Sequence, residues 1–306
     1  VERQVDGTLR KEMPNRDRLQ PFIYFDPKVL KKYYDEPSMY SVGFCSPGYG
    51  SVSDVHGWKL PIGLNSEGLV FCWLGDIAKS FMPPEDVAHW HAHNMPPRGT
   101  PAEAFVLSQV QGQFATEASL VSKLILCRDQ LKKVLGQKGI IVFRSYAGPH
   151  RHLEKLLREP LLDEFPEFRE CIMNLATVFV DYLDSESLKK MLSPDLTKDE
   201  RGKMLPSISL FAVFLKECVG AGQEVIKPLI DVLRKVQMVR SKSGAAHSFS
   251  DKSFSEILEK LGISDTPSAA ELFLAVAEPL ATALEQLCVT LGDEELLWWR
   301  RKTKIH

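Results

Sequence analysis

From Pro166 to about Leu291 the chain carries a single apolar period, and that period is helical. Phe168, Cys171, Ile172, Leu175, Val178, Phe179 and Tyr182 recur three and four apart, and Leu183, Leu188 and Leu192 continue the series. This spacing sets the apolar side chains on one stripe of an α-helix, which another helix must cover. Ile208, Phe211, Phe214 and Leu215 predict a second helix ending near Gly220-Ala221-Gly222. Val225, Leu229, Val232, Leu233 and Val236 predict a third, residues 254–261 a short fourth and Ala269 to about Leu291 a fifth. Short connections between amphipathic helices favour an antiparallel bundle.

The texture upstream is different. Residues 1–20 are almost wholly polar and read as a flexible lead-in. A short helix is predicted from Pro27 to about Tyr34, closed by Pro37. Between Tyr40 and Gly75, Gly, Ser and Pro punctuate short apolar runs. Trp58 to Leu64 and Leu69 to Leu74 are the best strand candidates there, with Asn65-Ser66-Glu67-Gly68 as a hairpin loop. Pro83-Pro84-Glu85 opens a helix running to about His93, since proline suits a first turn and an acid there suits the helix dipole. Helical texture returns from Pro101 to Phe114 and from Glu117 to Leu135, Ile140 to Phe143 reads as β-rich, and Pro149 to Arg158 as a short helix. The expected architecture is an α+β module over 21–160, an all-α helical bundle over 165–292 and a basic aromatic tail over 293–306. The boundary is expected between Pro149 and Pro166.

A chain of 306 residues has room for about two such domains. With 44% hydrophobic and 25% charged residues its balance is that of a folding chain rather than a disordered one. A formal net charge of −2 carries no global basic excess to advertise a polyanion partner. Cysteines at 45, 72, 127, 171, 218 and 288 form no Cys-x-x-Cys pair and read as buried thiols of a reducing compartment. With no signal-peptide core at the amino terminus and no apolar run of about eighteen residues, the expectation is a cytoplasmic protein with no membrane partner.

The densest histidine cluster is His89-Trp90-His91-Ala92-His93. His89 and His93 would share a helix face, and all three a strand face, so either geometry could hold a metal. No acid follows in a metalloprotease arrangement and no cysteine pair supports zinc. The favoured reading is imidazoles flanking a buried Trp90, with no metal and no cofactor. His150-Arg151-His152 reads as a solvated loop, with phosphate contact at a helix start as its alternative.

One segment of the helical region suits chemistry: Gln237-Met238-Val239-Arg240-Ser241-Lys242-Ser243-Gly244-Ala245-Ala246-His247. A long amphipathic helix runs into Arg240, six residues intervene, and His247 opens the next element. Histidine can take a 2′-hydroxyl proton or give one to a leaving oxygen near neutral pH. A guanidinium is a permanent, many-donor partner for the charge of a phosphorane. The segment resembles the Arg-x(4–6)-His signature of the HEPN superfamily, and with its helical context the resemblance covers about the last 125 residues. It implies a bundle in which two protomers bring two copies of the signature together, with Arg240 and His247 catalytic. Ser241 stands where catalytic members usually carry Asn, Asp or His, so that contributor is weaker here. The cations Lys242, Arg300, Arg301, Lys302 and Lys304 are the expected RNA contacts, the last four beside Trp298 and Trp299.

The resemblance implies a metal-independent endoribonuclease, a bacterial toxin or antiphage effector, acting as a homodimer on RNA. The amino-terminal module would then hold a regulatory partner. A catalytically silent HEPN-like dimerisation or RNA-binding module is the alternative, and a metalloenzyme using His89, His91 and His93 is the third reading. Residues 25–34 and 70–77, followed by Trp90 and Asn94-Met95-Pro96-Pro97, also resemble segments of uncharacterised bacterial proteins that end in a similar Arg-Ser…Ala-His region.

Overall fold

A computed structural model describes residues 22–79, 82–113, 117–243, 251–263 and 267–292. The chain divides between Ser119 and Leu120 into two compact units.

The first unit is built on an antiparallel sheet. Its strands are β1 (Phe22–Phe25), β2 (Tyr40–Ser46), β3 (Tyr49–Asp54), β4 (Lys59–Leu64), β5 (Val70–Trp73) and β6 (Asn94–Met95), in the order β2-β3-β4-β5-β1-β6. The expected hairpin is present: Leu64 pairs with Val70 and Gly63 with Phe71. Asn65 builds its loop, its Oδ1 accepting from the backbone N–H groups of Glu67 at 3.0 Å and Leu69 at 2.8 Å. Gly63 is required beside Phe71, because a Cβ there would lie 2.3 Å from the phenyl ring. Tyr24, Leu69, Phe71 and Phe105 form one buried cluster of this unit. Its helices are α1 (Lys31–Asp35), α2 (Leu74–Lys79), α3 (Pro84–Ala92) and α4 (Glu103–Gln109).

The second unit is helical, with α5 (Leu120–Gly136), α6 (Leu153–Leu156), α7 (Phe165–Ala176), α8 (Ser185–Lys190), α9 (Ser207–Phe214), α10 (Gln223–Ser243), α11 (Asp251–Leu261) and α12 (Ala269–Thr290). At its centre α12 packs on α5, α7 and α10. A capping box starts it. Ser268 Oγ accepts from the Glu271 N–H at 3.2 Å, and the Glu271 carboxylate accepts from the Ser268 N–H at 2.7 Å. This helix is long and apolar enough to cross a membrane, but Leu272, Phe273, Val276, Leu280, Leu284 and Leu287 are spent on the bundle core.

Three expectations need correction. The division falls at 119/120 rather than between 149 and 166, because the buried stripe of α5 (Leu124, Cys127, Leu131, Leu135) packs along α12. Periodicity shows that a helix has an apolar face but not which later helix covers it. The helix expected to run from Phe168 through Leu192 is broken. At Thr177–Asp181 the chain makes a π-turn, in which Tyr182 N–H donates to the Thr177 carbonyl at 3.1 Å, and α8 starts afresh with Asp184 as its cap. Residues 140–143 form no strand. Phe143 makes one bridge to Leu183, flanked by Asp184 N–H to the Val142 carbonyl and Arg144 N–H to the Tyr182 carbonyl, each 2.8 Å. These two bonds draw residues 182–184 out of the helix.

Candidate functional site

The same pairing builds a groove in the helical unit. With Arg144 bonded to Tyr182 and the π-turn displacing the end of α7, a space of about 530 Å³ opens, lined by Arg144, Ser145, Ala147, His150, Met173, Thr177, Asp181, Tyr182 and Arg240. Arg240 enters from the last turn of α10, which packs against α7 and the π-turn. The volume is that of a small-molecule or nucleotide site.

Charge and rings alternate along this groove. The Arg240 guanidinium pairs with the Asp181 carboxylate, and Arg144 donates to the Asp181 backbone carbonyl. The Arg144 guanidinium lies 5.3 Å from the centre of the Tyr182 ring. Tyr146 and His150 place their rings 4.7 Å and 5.8 Å from that of Tyr182. Behind Tyr146, 4.7 Å from its centre, sits the fully buried Arg128, whose Nη1 donates to Glu154 at 2.8 Å. Burial pushes the Tyr146 phenol up, so that it stays protonated at any physiological pH.

The Arg240–Asp181 pair is about one-third exposed, with side-chain exposures of 31% and 35%. Water screens a pair of that kind, and such pairs contribute about 0–1 kcal/mol. A pair of that kind is open to exchange of its carboxylate for another anion.

Of the other residues singled out from sequence, Ser241 donates its hydroxyl to the Gln237 carbonyl one turn back at 2.8 Å, and Lys242 pairs with Glu256 of α11. Neither belongs to the described lining of the groove. His247, Arg300, Arg301, Lys302 and Lys304 lie outside the described residues, as do Trp298 and Trp299. His150 does reach the groove, carried by a 3-10 turn over Gly148–His152. Arg144 and Asp181 carry no site signal in the sequence, and Tyr182 reads there only as part of the apolar stripe. Asp181 and Tyr182 are hidden in what reads as a continuous helix, and Arg144 follows an apolar run that reads as a strand.

In the first unit the histidine cluster is tied to backbone. His89 Nε2 is 2.9 Å from the Val29 carbonyl oxygen and His93 Nδ1 3.0 Å from that of His89, and burial lowers the His89 pKa. Trp90 is buried, and its indole N–H donates to the Tyr33 hydroxyl at 2.7 Å. Among the described residues no three His, Cys, Asp or Glu side chains converge as a metal site.

No family model matches the chain, and neither the curated proteins nor the solved structures searched include a match.

Proposed function

We propose that the helical unit is a HEPN-type, metal-independent endoribonuclease, a toxin or antiphage effector whose phosphodiester site is the groove at Arg240. One observation carries this reading: the guanidinium singled out by the Arg-x6-His signature lines a groove that also holds a second guanidinium, Arg144, and an imidazole, His150. Two guanidinium groups suit an anion whose charge grows in the transition state. In this reading Arg240 holds the phosphorane and His247 moves the proton of the 2′-hydroxyl or of the leaving oxygen. Transesterification needs an acid and a base, so two copies of the chain related by a two-fold axis supply a pair of His247 side chains.

The test incubates the purified protein with total RNA and transfer RNA in EDTA, beside Arg240→Ala and His247→Ala. Cleavage in EDTA that both substitutions abolish is the expected result. Cleavage surviving both would end the reading. The ion pair between Arg240 and Asp181 favours a second reading, a silent RNA-binding module in which Arg240 only docks phosphate. RNA bound but left intact by the unaltered protein would select it.

A further inference from the structure

We propose that the groove takes one unpaired nucleotide, its base stacked on Tyr182 and its phosphate met by Arg144 and Arg240. This rests on the RNA reading above and names the part of the RNA that the groove selects. Tyr182 is unlike the large rings of the core. Phe168, Phe179, Phe211, Phe214 and Phe273 are all fully buried, whereas Tyr182 is partly exposed and faces a groove bearing Arg144, Asp181 and His150.

The ring is also held in place before any ligand arrives. Tyr146 contacts it with its ring plane inclined by 58°, and the buried Arg128 guanidinium lies over Tyr146 in turn, so Tyr182 is backed by two packed groups. The Arg144 N–H and the Tyr182 carbonyl are bonded at 2.8 Å, which fixes Arg144 beside the ring. A preset ring loses little freedom on stacking, and a base stacks on it whatever its hydrogen-bonding edge. Three polar atoms of these two backing groups, the Tyr146 hydroxyl and Nε and Nη2 of Arg128, have no hydrogen-bond partner among the described residues. Bulk packing alone would be better served by apolar residues there.

Stacking on a side chain requires a base free of its helix, which is how proteins read loops and single strands rather than duplexes. The volume, about 530 Å³, accommodates one nucleotide.

Binding is measured by calorimetry on the full chain, with adenosine monophosphate and ribose 5-phosphate as probes, then a single-stranded RNA oligonucleotide and its duplex. The base should improve affinity about tenfold or more over the sugar phosphate. Tyr182→Leu should erase that difference while ribose 5-phosphate binds as before, and Tyr182→Phe should keep it. The single strand should bind more tightly than the duplex. Equal affinity for the two small probes, a base preference that survives Tyr182→Leu, equal affinity for strand and duplex, or no binding of any probe would overturn the proposal. Base-dependent binding to a protein that leaves RNA uncut would keep this inference and end the ribonuclease reading. RNA cleavage untouched by Tyr182→Leu would do the reverse.

Discussion

Arg240 and Asp181, 59 residues apart in sequence, meet at the mouth of one groove, where the last turn of α10 crosses the π-turn that ends α7. The carboxylate pairs with the guanidinium, and under the proposed function it competes with the RNA phosphate for it. Asp181→Asn should therefore tighten RNA binding several-fold, and Arg240→Ala should weaken it about tenfold or more. Because the pair is partly exposed, neither change should move folding stability by more than about 1 kcal/mol. Filter binding at fixed salt with parallel urea melts separates the two effects. Weaker binding by Asp181→Asn would show that Asp181 positions Arg240 instead of competing for it.

A second carboxylate does hold structure. Glu167 and Arg158 are 9% and 8% exposed, and the Glu167 carboxylate accepts from Arg158 and from the backbone N–H groups of Leu161 at 2.7 Å and Leu162 at 3.2 Å. Removing it takes a directly bonded carboxylate from the buried Arg158, with Glu170 still 3.7 Å away, and takes the acceptor from two backbone donors. Glu167→Ala should cost about 2–3 kcal/mol. The double change Arg158→Met, Glu167→Leu should recover a good part of that loss. Chemical denaturation checks both, and a cost below about 1 kcal/mol for the single change would show that water already reaches the pair.

The first unit should weaken in mild acid. Burial lowers the His89 pKa in the folded state, so the unfolded chain binds the proton more readily. The stability that His89 contributes is complete above its unfolded pKa, about 6.5, and is lost as pH falls through its lower folded value. Thermal melts between pH 7.5 and 5 should show this decline, and His89→Gln should flatten it. An unchanged pH profile in that variant would assign the decline to another group.

Residues 120–292 should fold without the sheet, whereas a chain starting at Pro166 should not. The second lacks α5 and so uncovers the α12 face against which Leu124, Cys127, Leu131 and Leu135 pack. A cooperative melt from the longer piece and a non-cooperative one from the shorter is the expected pair of results. A cooperative melt from the piece starting at Pro166 would mean that α12 needs no cover from α5.

Helices with long one-sided stripes were legible in the sequence: α10, α12 and α7, the first half of the helix expected from Phe168 to Leu192, lie where their spacing puts them. So was the hairpin at Asn65, whose side chain writes its own turn. The strands β1, β2 and β3 were not singled out, since Phe22–Phe25 is apolar throughout and Tyr40–Ser46 and Tyr49–Asp54 are rich in Gly and Ser. Those runs become strands by pairing with neighbours, which no local pattern records. The groove was half legible. Arg240 announces itself by its distance from His247, but Tyr182 occupies an apolar position in a helical series, and only the pull of residues 142–144 turns it into the wall of a site.

The π-turn at Thr177–Asp181 closes on a bond from Tyr182 to Thr177, one residue longer than an α-helical turn. In the arithmetic of insertion and deletion it is a surplus residue lodged within a helix. Deleting one residue there would restore the regular turn and take away the slack with which residues 182–184 reach their pairing with residues 142–144. Tyr182 would leave the groove while the stripe of α7 stayed buried. A chain one residue shorter at this point would then keep the bundle and lose the groove. Among chains built on this bundle, the length of that turn, more than the identity of any residue in it, would tell which ones carry the site.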